Sequence, residues 1–156
     1  MAVINNWDLK DSNNTIHRPR DEGQTQMDEV YEIGDLGSSF GSAGLQLTDA
    51  MSEGNLRAYR RSRFIDKLTP HEVDFHVPAQ PALIVLGNPH QYFSRLGLEW
   101  IGRSIPRADA RWIGHLLGQL SAAQLRDAFR AAQYPTREID GFTAEIQERI
   151  AQLNAL

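Results

Sequence analysis

The sequence predicts an α+β fold that is mostly α, with a short β-hairpin near the N-terminus and a helical bundle at the C-terminal end. Two observations carry this prediction. Asn14 to Ile16 and Val30 to Ile33 are short β-like segments, and the polar run that follows the first, His17-Arg18-Pro19-Arg20-Asp21-Glu22-Gly23-Gln24, has the Pro and Gly of a hairpin loop. In the last third, apolar residues recur at i, i+3 and i+4 through three successive stretches, the period of helices that bury one stripe.

Taken in chain order, Val3-Ile4 before Asn5-Asn6-Trp7 reads as the end of an apolar helix entering a loop. A helix starting so close to residue 1 has no room for a cap, which suggests a chain that begins part-way into a longer unit. Gly34, Gly37, Gly41, Gly44 and Gly54 predict a mobile loop. Leu56, Tyr59, Arg63 and Phe64 fall at helical spacing within a basic stretch, Arg57, Arg60, Arg61, Arg63 and Lys67, whose only acid is Asp66. That stretch is either a solvated helix face or a site for a phosphate or an acidic partner. Thr69-Pro70-His71-Glu72 has the residues of a capping box and predicts a helix start, while Pro78, Pro81 and Pro89 predict irregular chain beyond it.

The helical end is the strongest part of the prediction. Ala108, Trp112, Ile113, Leu116, Leu117 and Leu120 form one apolar stripe. A second capping box, Ser121 to Gln124, opens a helix with Leu125, Ala128, Phe129 and Ala132 inward. After Pro135, Ile139, Phe142, Ile146, Ile150 and Leu153 form a third stripe. Trp7, Trp100 and Trp112 are expected in the core. The organisation is one unit in three regions: 1–45 with the hairpin, 46–106 with mixed helix and irregular chain, and 107–156 with three helices.

With 156 residues, 41% of them hydrophobic and 23% charged, the chain is large enough for one domain or one lobe of a larger enzyme. Lys and Arg number 16 against 20 Asp and Glu, a net charge of −4 that argues against nucleic acid as a partner. The absence of cysteine excludes disulfides, thiolate metal sites and cysteine nucleophiles. Ala82 to Leu86 is the longest apolar run, far short of the ~20 residues of a membrane-spanning helix. There is no basic-then-apolar leader, so a soluble chain without a targeting signal is expected. His17, His71, His76, His90 and His115 show no zinc-binding spacing, and there is no G-x-S-x-G elbow. Gly37 to Ser42 lacks the Gly-Lys-Ser/Thr ending of a P-loop.

The pattern that carries chemistry is Asp8 and Asn13, five positions apart, followed by Asp35-Leu36-Gly37. Phosphoryl transfer to a hydroxyl needs a carboxylate to accept or orient the hydroxyl proton, and hard oxygen donors to hold magnesium against the nucleotide phosphates. Asp8 suits the first role, Asn13 and Asp35 the second, and Lys10 supplies a cation for charge on the transferring group. A hairpin between Asn13 and Asp35 would return the chain so that both reach one metal. The competing reading is a pair of turns in which Asn and Asp bond their own backbone.

On these residues the chain resembles a known family. Trp7-Asp8-Leu9-Lys10-Asp11-Ser12-Asn13 resembles the catalytic loop of protein-kinase-like enzymes, and Ile33-Gly34-Asp35-Leu36-Gly37 their magnesium-binding D-F-G with Leu for Phe. The run from Asn5 to Gly41 is similar to a group of bacterial proteins related to the atypical phosphatidylinositol 3- and 4-kinase-like kinases. The similarity continues through Ile105-Pro106-Arg107-Ala108-Asp109-Ala110 and Ile150 to Asn154. The resemblance implies a kinase-like C-terminal lobe that uses Mg2+ and ATP with an unidentified hydroxyl acceptor. Trp7 stands where the ordinary catalytic loop has Arg, and no A-P-E follows Asp35, which favours the atypical kinases. The family's Gly-rich lid and Lys–Glu pair would come from an N-terminal lobe or a partner chain. Without that lobe the expectation is weak or no activity. The alternative is a non-catalytic helical interaction module with a vestigial kinase-like loop.

Overall fold

The computed structural model describes residues 2–6, 14–17, 30–34, 39–41, 54–77 and 99–156. The predicted hairpin is present: β1 (Asn14–His17) pairs antiparallel with β2 (Val30–Ile33), with Asn14 opposite Ile33 and His17 opposite Val30. A six-residue helix, α1 (Leu56–Arg61), leads into a three-stranded antiparallel sheet of β3 (Ile65–Leu68), β4 (Glu72–Phe75) and β5 (Ile105–Pro106), with β4 in the centre. Three helices complete the described fold: α2 (Arg107–Leu117), α3 (Ala122–Ala131) and α4 (Thr136–Asn154). The class is α+β, mostly helical. No helix among the described residues is long and apolar enough to cross a membrane.

Helix α4 is the axis of the core. Its stripe of Ile139, Phe142, Ile146, Ile150 and Leu153 is buried as the periodicity predicts. Tyr59 of α1 with Leu125 and Phe129 of α3 close over one length of it, while Phe64, Val73, Ala110 and Leu156 gather around Leu153. Ser121 caps α3 as predicted, its hydroxyl accepting from the Gln124 amide while the Gln124 side chain accepts from the Ser121 amide.

Several expectations are corrected. Thr69 to Glu72 is a β-turn between β3 and β4, not a helix start. Thr69 Oγ1 accepts from the Glu72 amide at 2.9 Å as in a capping box, but the Thr69 amide donates to the Glu72 carbonyl at 2.9 Å, which closes a hairpin. The helix over Leu56 to Phe64 stops at Arg61, and Ile65 to Leu68 are strand. Ala2–Asn5 is a single turn rather than a helix end. Of the stretch expected to be a mobile glycine loop, Gly37 and Gly44 lie outside the described residues, while Ser39 to Gly41 pack against the core. There the Phe40 ring meets Tyr59, Phe129 and Phe142 at centroid distances of 5.6, 5.2 and 5.5 Å. The segment with Pro78, Pro81 and Pro89 lies outside the described residues, as does Trp7.

The largest correction concerns α2. Of its predicted stripe Trp112, Ile113 and Leu116 are exposed, Trp112 by 61%, Leu120 beyond the helix end is exposed too, and only Leu117 packs partly against the core; Trp100 is 69% exposed in a 3-10 turn over Glu99–Gly102. The helix buries Ala110 and Gly114 instead. A Cβ on Gly114 would lie 2.7 Å from the Leu153 Cβ, so the small residues let the backbones of α2 and α4 approach closely. In α3, Leu125 and Phe129 are buried, but Ala128 and Ala132 are exposed.

Candidate functional site

The residues singled out for phosphoryl transfer, Asp8, Lys10, Asn13 and Asp35, lie outside the described residues. The structure does describe the chain on both sides of them. Where the segments 7–13 and 35–38 leave the hairpin, Asn14 is paired with Ile33. At their other ends, the Phe40 amide donates to the Ile4 carbonyl at 2.8 Å, and the Asn5 side-chain amide donates to the Gly41 carbonyl. The two candidate segments therefore share both boundaries. Gly34 and Ser39 are linked by only four residues, a reach of at most about 18 Å of extended chain.

This second clamp is built into the core. Asn5 and Phe40 both take left-handed backbone, at φ 52° and 60°. Such a conformation is costly for Phe and persists where the surroundings fix it. Here the fixing is done by the three rings around Phe40 and by the bonds to Ile4 and Asn5.

Arg149 holds the same corner from below, and sequence reasoning did not single it out. It is 1% exposed. Its guanidinium lies 4.0 Å from the Tyr59 ring centroid and donates to the Tyr59 carbonyl and the Ser62 hydroxyl, each at 2.9 Å. It also donates to the Val3 carbonyl at 3.3 Å and pairs with Glu145 at 3.1 Å. The Tyr59 hydroxyl donates to the same Val3 carbonyl. Burial pushes the Tyr59 phenol well above the usual tyrosine range; Arg149 opposes the rise and Glu145 adds to it. The signal for Arg149 was in the sequence: it stands three residues after Ile146 and four before Leu153, on an otherwise apolar stripe.

On another face, Arg57, Arg60 and Arg61 of α1 meet Arg137, Glu138 and Asp140 of α4 across a cleft of about 860 Å³. Positions 57, 60 and 61 share one helix face, opposite the buried Ala58 and Tyr59. A Cβ on Gly141 would collide with the Leu56 side chain, so a glycine there lets α1 lie against α4. Arg63 and Lys67 of the predicted basic cluster are not in the cleft lining, and Arg63 pairs with Asp66 at 3.5 Å. Arg137 is the addition that sequence reasoning missed. Its signal was a cation in the first turn of a helix, where the dipole disfavours one.

An apolar recess of about 780 Å³ lies beside the core, with Ile113, Leu117 and Leu120 on one side and Leu125, Ala128 and Ala132 on another. Among the described residues, no group of three or more His, Cys, Asp or Glu is placed to hold a metal ion. Comparison with family models, curated proteins and solved structures returned no match for this chain.

Proposed function

We propose that this chain is the C-terminal catalytic lobe of a magnesium- and ATP-dependent phosphotransferase. Asp8 is the base that accepts or orients the proton of the attacking hydroxyl, Asn13 and Asp35 are oxygen donors for the metal, and Lys10 neutralises charge on the transferring group. The observation that supports this reading is the double boundary described above. Clamps at Asn14–Ile33 and at Ile4/Asn5–Phe40/Gly41 bracket the segments that carry Asp8 to Asn13 and Asp35. Two segments with shared ends are a suitable frame for donors that must converge on one ion. An amide oxygen and a carboxylate suit magnesium, which prefers hard oxygen ligands. When bound, magnesium supplies charge neutralisation and orientation for the nucleotide phosphates. An N-terminal lobe, in the same protein or in a partner chain, belongs to the proposal as the cover for the nucleotide.

The test is titration with a non-hydrolysable ATP analogue, with and without magnesium, on the wild type and on Asp35→Ala. Magnesium-dependent binding that Asp35→Ala weakens at least tenfold is the expected result. The exposed apolar face of α2 favours a second reading, a helical interaction module with a vestigial loop. Such a module would bind no nucleotide and be indifferent to Asp35→Ala.

A further inference from the structure

We infer that the arginine-lined cleft between α1 and the start of α4 is a binding site for a small ligand's phosphate groups, a diphosphate by the number of guanidinium groups that line it. Four guanidinium groups, Arg57, Arg60, Arg61 and Arg137, line it against two carboxylates, Glu138 and Asp140. Asp140 is already engaged by Arg126 at 2.9 Å. The result is a basic cleft on a chain whose net charge is −4. Guanidinium forks match phosphate oxygens in pairs, and arginines on two walls suit a group with more than one phosphorus.

Parts of the arrangement are unfavourable when empty, and these point to a ligand. Arg57 stands three and four residues before Arg60 and Arg61, so like charges crowd one helix face; the dipole favours Arg60 and Arg61 in the last turn of α1, but no acid on that helix offsets the repulsion among them. Arg137 sits in the first turn of α4, where the helix dipole repels a cation, and Pro135 gives that end no side-chain cap. Arg60, Arg61 and Arg137 have no ion pair among the described residues. A bound polyanion relieves all three conditions together.

The scaffold beneath is firm. The Asn55 side chain accepts from the Ala58 amide at 3.0 Å at one end of α1, and Arg149 holds the Tyr59 carbonyl and the Ser62 hydroxyl at the other. A six-residue helix is marginal by itself, and these ties fix where its arginines stand.

The experiment is calorimetric titration of the whole chain with inorganic pyrophosphate in EDTA, so that no magnesium-dependent site contributes. Wild type should bind saturably. Arg137→Ala, and separately Arg60→Ala with Arg61→Ala, should weaken binding at least tenfold, while Arg63→Ala stays within twofold. All the substituted arginines are exposed, and an unchanged unfolding midpoint checks that each variant is folded. Absence of saturable binding at millimolar pyrophosphate overturns the inference. So does equal weakening by Arg63→Ala, which would show diffuse charge, and so does equally tight binding of citrate, which would remove the preference for phosphate. Because this titration excludes magnesium and the phosphotransferase test depends on it, failure here leaves the phosphotransferase reading to its own test.

Discussion

Helices α2 and α4 carry equally regular apolar stripes, yet one buries its stripe and the other displays most of it. In α4, Ile139, Phe142, Ile146, Ile150 and Leu153 are all buried, and a charged residue, Arg149, is buried among them. In α2, Trp112, Ile113 and Leu116 are exposed, Leu117 packs partly against the core, and the residues buried against α4 are Ala110 and Gly114. The difference lies in what each contact requires. Burial of large side chains needs space between elements, which α4 has because α1, α3 and the sheet surround it at side-chain distance. At Gly114 the contact of α2 with α4 is so close that a Cβ does not fit, and a large side chain, Leu117, reaches the core only at the end of the helix. Periodicity thus shows that a segment is helical, while the position of its smallest residues decides which face turns inward.

The strongest challenge to this comparison is to remove the charge from the α4 stripe. Arg149→Met keeps the volume and the apolar pattern, so a core built on burial alone would be indifferent or gain. It strips donors from the Val3 and Tyr59 carbonyls and the Ser62 hydroxyl, and leaves Glu145 without its partner. The expected loss is about 3–5 kcal/mol, the usual cost of breaking a buried charged network from one side. Urea unfolding measures it. Against a total stability of about 5–15 kcal/mol for a domain, that is a large fraction. Arg149→Lys should lie between, because an ammonium keeps the charge but cannot span the same acceptors.

How much of this was readable in advance follows from the range of each interaction. The hairpin, the Ser121 capping box and the α4 stripe depend on residues a few positions apart, and each stood as read. The sheet of β3, β4 and β5 was missed because β5 is two residues long and pairs with β4 some thirty residues upstream. The Thr69-x-x-Glu72 pattern misled because a hydroxyl accepting from an amide three residues on serves a hairpin turn as well as a helix start. In the candidate sites, three of the cleft arginines were visible as one helix face, but the fourth arrives through the α1–α4 contact that Gly141 permits. Asp8, Lys10, Asn13 and Asp35 were read from their spacing and a resemblance, and they lie outside the described residues.

A smaller effect tests the close contact itself. Gly114→Ala improves helix propensity by about 1 kcal/mol, and on an uncrowded helix face it would stabilise. Here the added methyl meets the Leu153 Cβ at 2.7 Å and the Asn154 amide nitrogen at 3.2 Å. Neither atom is the free end of a side chain, so relief requires α2 and α4 to separate. The expected outcome is a net loss of about 1–2 kcal/mol, overpacking outweighing propensity. A gain in unfolding midpoint would mean that the helices are not held this close and that the inward face of α2 was chosen by something else.

The smallest expected change is at Trp112. A buried tryptophan is among the most costly residues to truncate, at about 3–5 kcal/mol. At 61% exposure this one has little to lose. Trp112→Gln keeps a good helix former and removes an exposed ring, so stability should move by less than about 0.5 kcal/mol. The measurement is informative because both helices predicted the same answer from sequence. If the change is small, the stripe of α2 is a surface that the fold itself does not use, and its apolar character asks for a partner rather than a core. If Trp112→Gln instead costs several kcal/mol at high protein concentration and little on dilution, the face is covered by a second copy of the chain. The contrast between the helices would then lie in where each stripe is buried, between copies for α2 and within one chain for α4.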